Sequence, residues 1–357
     1  MTAGVLPFQA IGKMISSGEI SAVKPIPEAQ IQPASLDLRL GNKAWRVRAS
    51  FLPGAAGIRQ RLEDFSTHEI DLTEGAVLEK GCVYLVPLME ALALPAHINA
   101  VANAKSSTGR LDLFTRLITE NATEFDRIDA GYHGQLYAEV SPRSFSVLAR
   151  PGMRLNQIRF RAGQVVLTDE ALRVLDASHG LVDQEAHISD GLGFSVDLTP
   201  RENGIVGYRA KPHTGLIDLD KISHYPAADF WEPVTAPEGR IILDPGAFYI
   251  LVSNEAVHIP PDCAAEMAPY LAMVGEFRVH YAGFFDPGFG NENAGGKGSR
   301  GVLEVRCHEA PFALEHGQIV GRLVYERMQE VPQVLYGADL GSNYQGQGLK
   351  LSKHFKA

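Results

Sequence analysis

The chain repeats itself, and this constrains its fold more than any other feature. Ala34-Ser-Leu-Asp-Leu returns as Phe194-Ser-Val-Asp-Leu, and Leu78-Glu-Lys-Gly-Cys-Val-Tyr-Leu-Val as Leu243-Asp-Pro-Gly-Ala-Phe-Tyr-Ile-Leu-Val. Leu94-Pro-Ala-His-Ile matches Ile259-Pro-Pro-Asp-Cys, and Ile128-Asp-Ala-Gly-Tyr matches Phe285-Asp-Pro-Gly-Phe. Tyr137-Ala-Glu-Val matches Val302-Leu-Glu-Val, and Arg150-Pro-Gly-Met-Arg-Leu matches Glu315-His-Gly-Gln-Ile-Val. Each pair is weak alone; together, in one order and at one approximate offset, they imply a duplication. So long a period means two domains of one fold rather than a solenoid.

The repeated unit is strand-rich. Alternating runs bounded by turn residues are expected as strands at Ser35 to Leu40, Val83 to Pro87, Gln135 to Val140, Ile241 to Leu243, Phe248 to Val252 and Gly301 to Arg306. The 35 Gly and 21 Pro supply the turns such a fold needs. Phe8, Ile11, Met14 and Ile15 recur at helical spacing, which predicts a short helix from Val5 to Ile20. A second helical pattern, Asp169 to Leu175, marks the expected boundary between a first unit, 1–172, and a second, 173–357. The expected class is therefore all-β: mainly β with a few short helices, in two tandem units.

A net charge of −9 argues against non-specific nucleic-acid or membrane binding, but not against a local basic pocket. There is no apolar run long enough to span a membrane and no signal-peptide pattern, so a cytoplasmic location is expected. Cys82, Cys263 and Cys307 lie far apart and make neither a disulfide framework nor a metal cluster.

Four stretches carry potential chemistry. Lys105-Ser-Ser-Thr-Gly-Arg110 sets two hydroxyls between two cations, which suits a polyanion; the bland alternative is a solvated turn. Glu304 sits in an alternating strand, where an inward-facing carboxylate would serve as a general base and an outward-facing one as surface. His280-Tyr-Ala-Gly precedes an Asp-Pro-Gly turn. The Gly-rich stretch from Tyr336 to Gly348, followed by Lys350, Lys353 and His354, reads either as a frayed tail or as a lid. No phosphate loop, dinucleotide fingerprint, nucleophile elbow or zinc-protease motif is present, nor is the His-x-Glu and Pro-Cys-x-x-Cys pattern of zinc deaminases.

Taken together, Ser35-Leu-Asp-Leu, Lys105-Ser-Ser-Thr-Gly-Arg110, Asp286-Pro-Gly-Phe, Leu303-Glu304, Arg150-Pro-Gly-Met and Asn343-Tyr-Gln-Gly-Gln347 resemble the motifs of dCTP deaminases. The resemblance implies distorted β-barrel units (β-clips) of the dUTPase type, with sites at subunit interfaces. The motifs are split. The first copy keeps Ser-Ser-x-x-Arg but reads Thr119-Glu-Asn-Ala-Thr-Glu-Phe-Asp-Arg before Asp129; the second keeps His280-Tyr-Ala282 and Glu304 but reads Pro269-Tyr-Leu-Ala-Met273 in place of the Ser/Arg element. The expectation is one composite site, with cations from the first copy and the base from the second. Which chains supply the two halves stays open, and Glu139 is expected to be structural.

The resemblance then implies hydrolysis of dCTP to dUTP and ammonia, independent of zinc. Glu304, Ser106, Arg110 and Ala282 would be catalytic. Lys105, Ser107, His280, Tyr281, Tyr336, Tyr344, Gln347 and Lys350 would bind a nucleotide that arrives as its Mg²⁺ complex, with Lys353 an alternative for the phosphates. A bifunctional enzyme giving dUMP, and a non-catalytic nucleotide-binding protein, are the alternatives. Lys105 replaces the usual Arg, Asn343 replaces Lys, and a Gly-rich insertion at 290–301 is expected either to form a lid or to displace Glu304. Two units do not complete a three-fold ring, so a homo-oligomer is expected.

Overall fold

The duplication is visible in the hydrogen-bond register. In the first half the strand His133–Pro142 lies between Val83–Ala93 and Leu113–Thr119. In the second, Ser299–Cys307 lies between Phe248–Val257 and Phe277–His280. Glu139 stands opposite Leu85 and Glu304 opposite Ile250, so both members of the pair move by the same 165 positions. The same displacement relates Ile158–Ala102 to Leu323–Met267 in the neighbouring sheets. The computed structural model describes residues 2–356 except 202, 270–276, 281–282, 293–295, 338–339, 342–345 and 347; of 269, 277–280, 340 and 341 it describes the backbone only.

The expected strands are present, most of them longer than the sequence runs suggested, and the fold is mainly β with a few short helices. Each unit buries its own apolar face. Leu36, Tyr84, Ala138, Ile158 and Phe160 form the first core, and Phe194, Leu251, Leu303, Val305 and Leu323 the second. The first helix is shorter than expected, Phe8–Ser17. Gly4–Val5 pairs with Arg161–Ala162, and Ile20 pairs with Leu92, so strand pairing claims both ends of the apolar run. Gly18 ends the helix at φ 84° and donates its amide to the Ile15 carbonyl. The second expected helix runs further, Asp169–His179, with the Thr168 hydroxyl accepting from the Ala171 amide. A helix at Gly57–Phe65 was not anticipated; it packs Ile58 against Phe51, Ile118 and Ala122 of the first unit.

The two units are joined by polar and aromatic contacts. Arg159 is fully buried and reaches across to the Ala265 carbonyl (3.0 Å), Glu326 (3.0 Å), the Phe285 carbonyl (3.4 Å) and Asp286 (3.2 Å). Arg161 and Glu326, matching positions of the two copies, pair with each other. Ile217–Asp218 adds a parallel strand to Val147–Ala149 of the first unit. Phe145 then meets Trp231 (5.3 Å between ring centroids), Phe230 (5.7 Å) and Phe355 (6.5 Å). Burying rings of this size contributes roughly 1.5–3 kcal/mol each, so this cluster ties the second unit and the end of the chain to the first.

Candidate active site between the two units

A cavity of about 510 Å³ opens at the junction. The first unit supplies Asp37, Lys105, Ser106, Ser107, Arg110 and Arg154 to its wall. The second supplies Phe284, Phe285, Asp286 and Glu304, with Tyr336 and Lys353 from the C-terminal stretch. The two decayed halves of the motif set therefore meet within one chain.

Local backbone geometry explains the cationic side. The Lys105 amide donates to the Leu155 carbonyl (2.9 Å), after which the chain makes a single helical turn, Ser106–Gly109. The Arg110 amide closes this turn on the Ser106 carbonyl (3.1 Å), which folds Arg110 inward to 2% exposure. Arg110 donates to the Lys350 carbonyl (3.2 Å), and the Ser352 hydroxyl to the Ser107 carbonyl (2.8 Å). The last residues are thus docked on this turn. Ser352, His354 and Phe355 are buried, so these last residues are packed rather than frayed.

Strand alternation explains the acidic side. Leu303 and Val305 point into the second core, so Val302 and Glu304 must point the other way, where the first unit covers them. Glu304 Oε1 lies 3.9 Å from Arg110 Nε, and both side chains are almost fully buried. Burial pushes the Glu304 carboxyl well above the ordinary carboxylate range; the Arg110 guanidinium opposes this and Asp112 reinforces it. The insertion has not displaced Glu304. Nine residues separate Asp129 from Glu139 and seventeen separate Asp286 from Glu304, yet Glu304 keeps its register. The two ends of the extra length are joined, the Gly298 amide donating to the Gly290 carbonyl (2.8 Å). Gly301 is required where this loop rejoins the strand, because a Cβ there would lie 2.4 Å from the Phe194 ring.

Lys105, Arg154 and Lys353 converge around a single carboxylate. Lys105 pairs with Asp37, and Arg154 lies 3.5 Å from it. Burial, then the neighbouring Lys105, pull the Lys353 ammonium below its ordinary value, with Arg154 adding to the effect and Asp37 opposing it. This corner has surplus positive charge and suits a polyanion. Asp286 is held by Arg159; burial raises its pKa, while Arg159 and Lys105 oppose the rise.

Of the residues singled out from sequence, Lys105, Ser106, Ser107, Arg110, Glu304 and Tyr336 line this one cavity. The exposed Lys350 side chain does not line it; Lys350 offers its carbonyl, and Lys353 occupies the cavity wall instead. Tyr281, Ala282, Tyr344, Gln347 and Asn343 lie outside the described residues, and His280 is described only as the backbone partner of Glu304. Arg154 was missed. Its neighbour in the Arg150-Pro-Gly-Met motif drew attention, but Arg150 binds Asp218 (2.7 Å) and Asp220 (2.8 Å). Arg154 stands opposite Arg39, two residues along the strand from Asp37, and this pairing is visible only in the structure. Glu139 bonds to Arg116 at 2.6 Å, inside its own unit.

Comparison with known proteins decides the family. The N-terminal domain of 2'-deoxycytidine 5'-triphosphate deaminase matches residues 2–164, and the C-terminal domain of the same enzyme matches residues 168–355. The chain belongs to the dCTP deaminase family. A crystal structure of 2'-deoxycytidine 5'-triphosphate deaminase from Agrobacterium tumefaciens shares 56% identity and superposes with a TM-score of 0.88, covering 92% of this chain and 100% of that one. A "dCTP deaminase, dUMP-forming" from Sulfurihydrogenibium sp. is 33% identical over 160 residues, 44% of this chain and 82% of its own length. A "dCTP deaminase" from Natronomonas pharaonis is 32% identical over 161 residues, 44% of this chain and 79% of its own. These two relatives are largely matched by less than half of this chain, whereas the Agrobacterium protein spans both units, as a tandem form of the dCTP deaminase family should. Among the described residues no group of three His, Cys, Asp or Glu side chains is arranged to hold a metal ion, and no helix is long and apolar enough to cross a membrane.

Proposed function

We propose that the chain hydrolyses dCTP to dUTP and ammonia, and that the first unit (1–172) and the second (173–357) share one active site per chain. The observation that carries this reading is the buried pair of Glu304 and Arg110, 3.9 Å apart, in a cavity that also holds a basic corner. Glu304 takes a proton from water, and the hydroxide attacks C4 of the cytosine. The protonated carboxyl passes that proton to the ring nitrogen N3, then takes the remaining proton from the new C4 hydroxyl and delivers it to the amine, so that the C4–N bond breaks, the carbonyl forms and ammonia leaves, a two-way role that a raised pKa suits. Arg110 stabilises the ionised form of Glu304 and, with Ser106, orients the water and the developing charge. The water is activated without zinc, in keeping with the missing zinc-deaminase pattern. Lys105, Arg154 and Lys353 receive the triphosphate. Mg²⁺ belongs to the substrate: Asp37 and Asp286 are already engaged by cations, which leaves phosphate oxygens and water as its partners. By the family resemblance, the backbone at Ala282 reads the base edge, and His280, Tyr281, Tyr336, Tyr344 and Gln347 close around the nucleotide. We propose a cytoplasmic location and a homo-oligomer, the latter because two units do not complete the three-fold ring that the family resemblance implies.

A second reading, release of pyrophosphate to give dUMP, draws on the dUMP-forming name of the Sulfurihydrogenibium relative. The test follows ammonia, dUTP and pyrophosphate together from Mg²⁺-dCTP. Ammonia with accumulating dUTP supports the first reading, and pyrophosphate in step with ammonia supports the second. Nucleotide binding without ammonia overturns both.

A further inference from the structure

A second ion pair crosses the junction beside the first. Asp112 follows Arg110 by two residues, and Arg306 follows Glu304 by two residues along one strand, so Glu304 and Arg306 share a face. Arg306 Nη2 donates to Asp112 Oδ2, and the Ser144 hydroxyl donates to the same oxygen at 2.6 Å. Arg306 is braced by the Gly246 carbonyl (2.5 Å) and lies over the Phe248 ring (5.9 Å). Asp112 is 1% exposed, holds φ at 52°, and its carbonyl accepts from the Arg143 amide (2.9 Å). The charges are crossed: the first unit presents Arg110 then Asp112, and the second presents Glu304 then Arg306. In the first unit Ser141 takes the strand position of Arg306, so the Glu139 strand carries no such cation.

We infer that the Asp112–Arg306 pair, with Ser144, is a positioning device for the reaction: it fixes the Glu304 strand of the second unit against the Arg110 turn of the first. Arg110 and Glu304 approach only as salt-bridge neighbours at 3.9 Å, too long for a hydrogen bond to hold them in place. The adjacent pair, a buried carboxylate receiving a guanidinium and a hydroxyl, is the stiffer contact and sets their separation. It also tunes the base, since Asp112 is the described anion that raises the Glu304 pKa. The described charged groups facing Glu304 are Arg110 and Asp112; its cross-strand neighbours are Ile250 and, by register, His280. The inference rests on Glu304 being the base.

Asp112→Asn keeps the shape and removes the charge. Arg306→Met removes the partner, and Arg306→Lys restores a cation. The variants are compared for kcat and KM with Mg²⁺-dCTP, for the pH dependence of kcat/KM, and for thermal midpoint, with Glu304→Gln as control. Asp112→Asn and Arg306→Met are expected to lower kcat at least tenfold with KM within about threefold, and Arg306→Lys to recover most of the loss. In Asp112→Asn the acid limb is expected to move to lower pH. Unchanged kcat and an unmoved limb beside a lowered thermal midpoint would show that the pair is only a fastening between units. Turnover in Glu304→Gln would instead overturn the base assignment itself. If Asp112→Asn does not fold, the Met-to-Lys contrast at Arg306 decides.

Discussion

Glu139 and Glu304 occupy the same place in the two copies, and the contrast between them shows how a duplicated fold divides its labour. Each is 4% exposed and each lies in a strand paired on both sides, next to the edge of its sheet. Their cross-strand partners differ. Arg116 faces Glu139, bonds it at 2.6 Å and 3.2 Å, and is itself held over Phe125, 3.4 Å from the ring centroid. That carboxylate is committed. Glu304 has no such partner within its described strand neighbours; its cation, Arg110, comes from the other copy and stands back at 3.9 Å. An engaged carboxylate stabilises a unit. One that is buried but loosely paired is free to exchange a proton.

The largest expected effect separates the two directly. Glu304→Gln should cut ammonia release by about a thousandfold while nucleotide binding persists, whereas Glu139→Gln should leave turnover within about threefold. Steady-state ammonia assays with equilibrium dCTP binding check both. If Glu139→Gln were the inactive one, the contrast would be inverted.

The next effect concerns stability. Arg116→Met strands the Glu139 carboxylate and should cost about 3 kcal/mol, the lower end for a buried pair because Arg116 is partly exposed. Denaturant unfolding should show this with kcat per folded molecule preserved.

The docked terminus adds a pH term on the working side only. Burial, with Lys353 beside it, lowers the His354 imidazole to about 4. The unfolded chain then binds a proton near pH 6.5 that the folded chain refuses. The stability His354 contributes is whole above pH 6.5 and is lost as pH falls toward 4, at most about 3 kcal/mol. Thermal midpoints should fall through that window, and His354→Gln should flatten the slope. The smallest effect is on binding: Lys353→Ala should raise KM for dCTP about tenfold with little change in kcat.

Much of this was legible in the sequence because duplication and strand alternation are local patterns. The repeat fixed the matching strands, and the splitting of the motifs between copies anticipated that Lys105, Ser106 and Arg110 would face Glu304. What escaped reading depends on contacts across the chain. Val5 and Ile20 fit a helix until pairing with Arg161 and Leu92 claims them. No sequence pattern singles out Arg159, yet it is fully buried between the units. Arg154 and the Asp112–Arg306 pair have meaning only once the two copies are docked. That one chain supplies both halves of the cavity also needed the structure, since both copies carry the same surfaces.

The central claim is that Arg110 and Glu304 of the same chain form one site. It is tested most directly by complementation. Chains carrying Arg110→Ala and chains carrying Glu304→Gln, each inactive alone, are co-expressed under separate tags, co-purified and assayed for ammonia release from Mg²⁺-dCTP. No recovery is predicted, because every chain then holds one broken half of its own site. Restored activity in the mixed preparation would show that the two halves come from different chains, and would contradict the account.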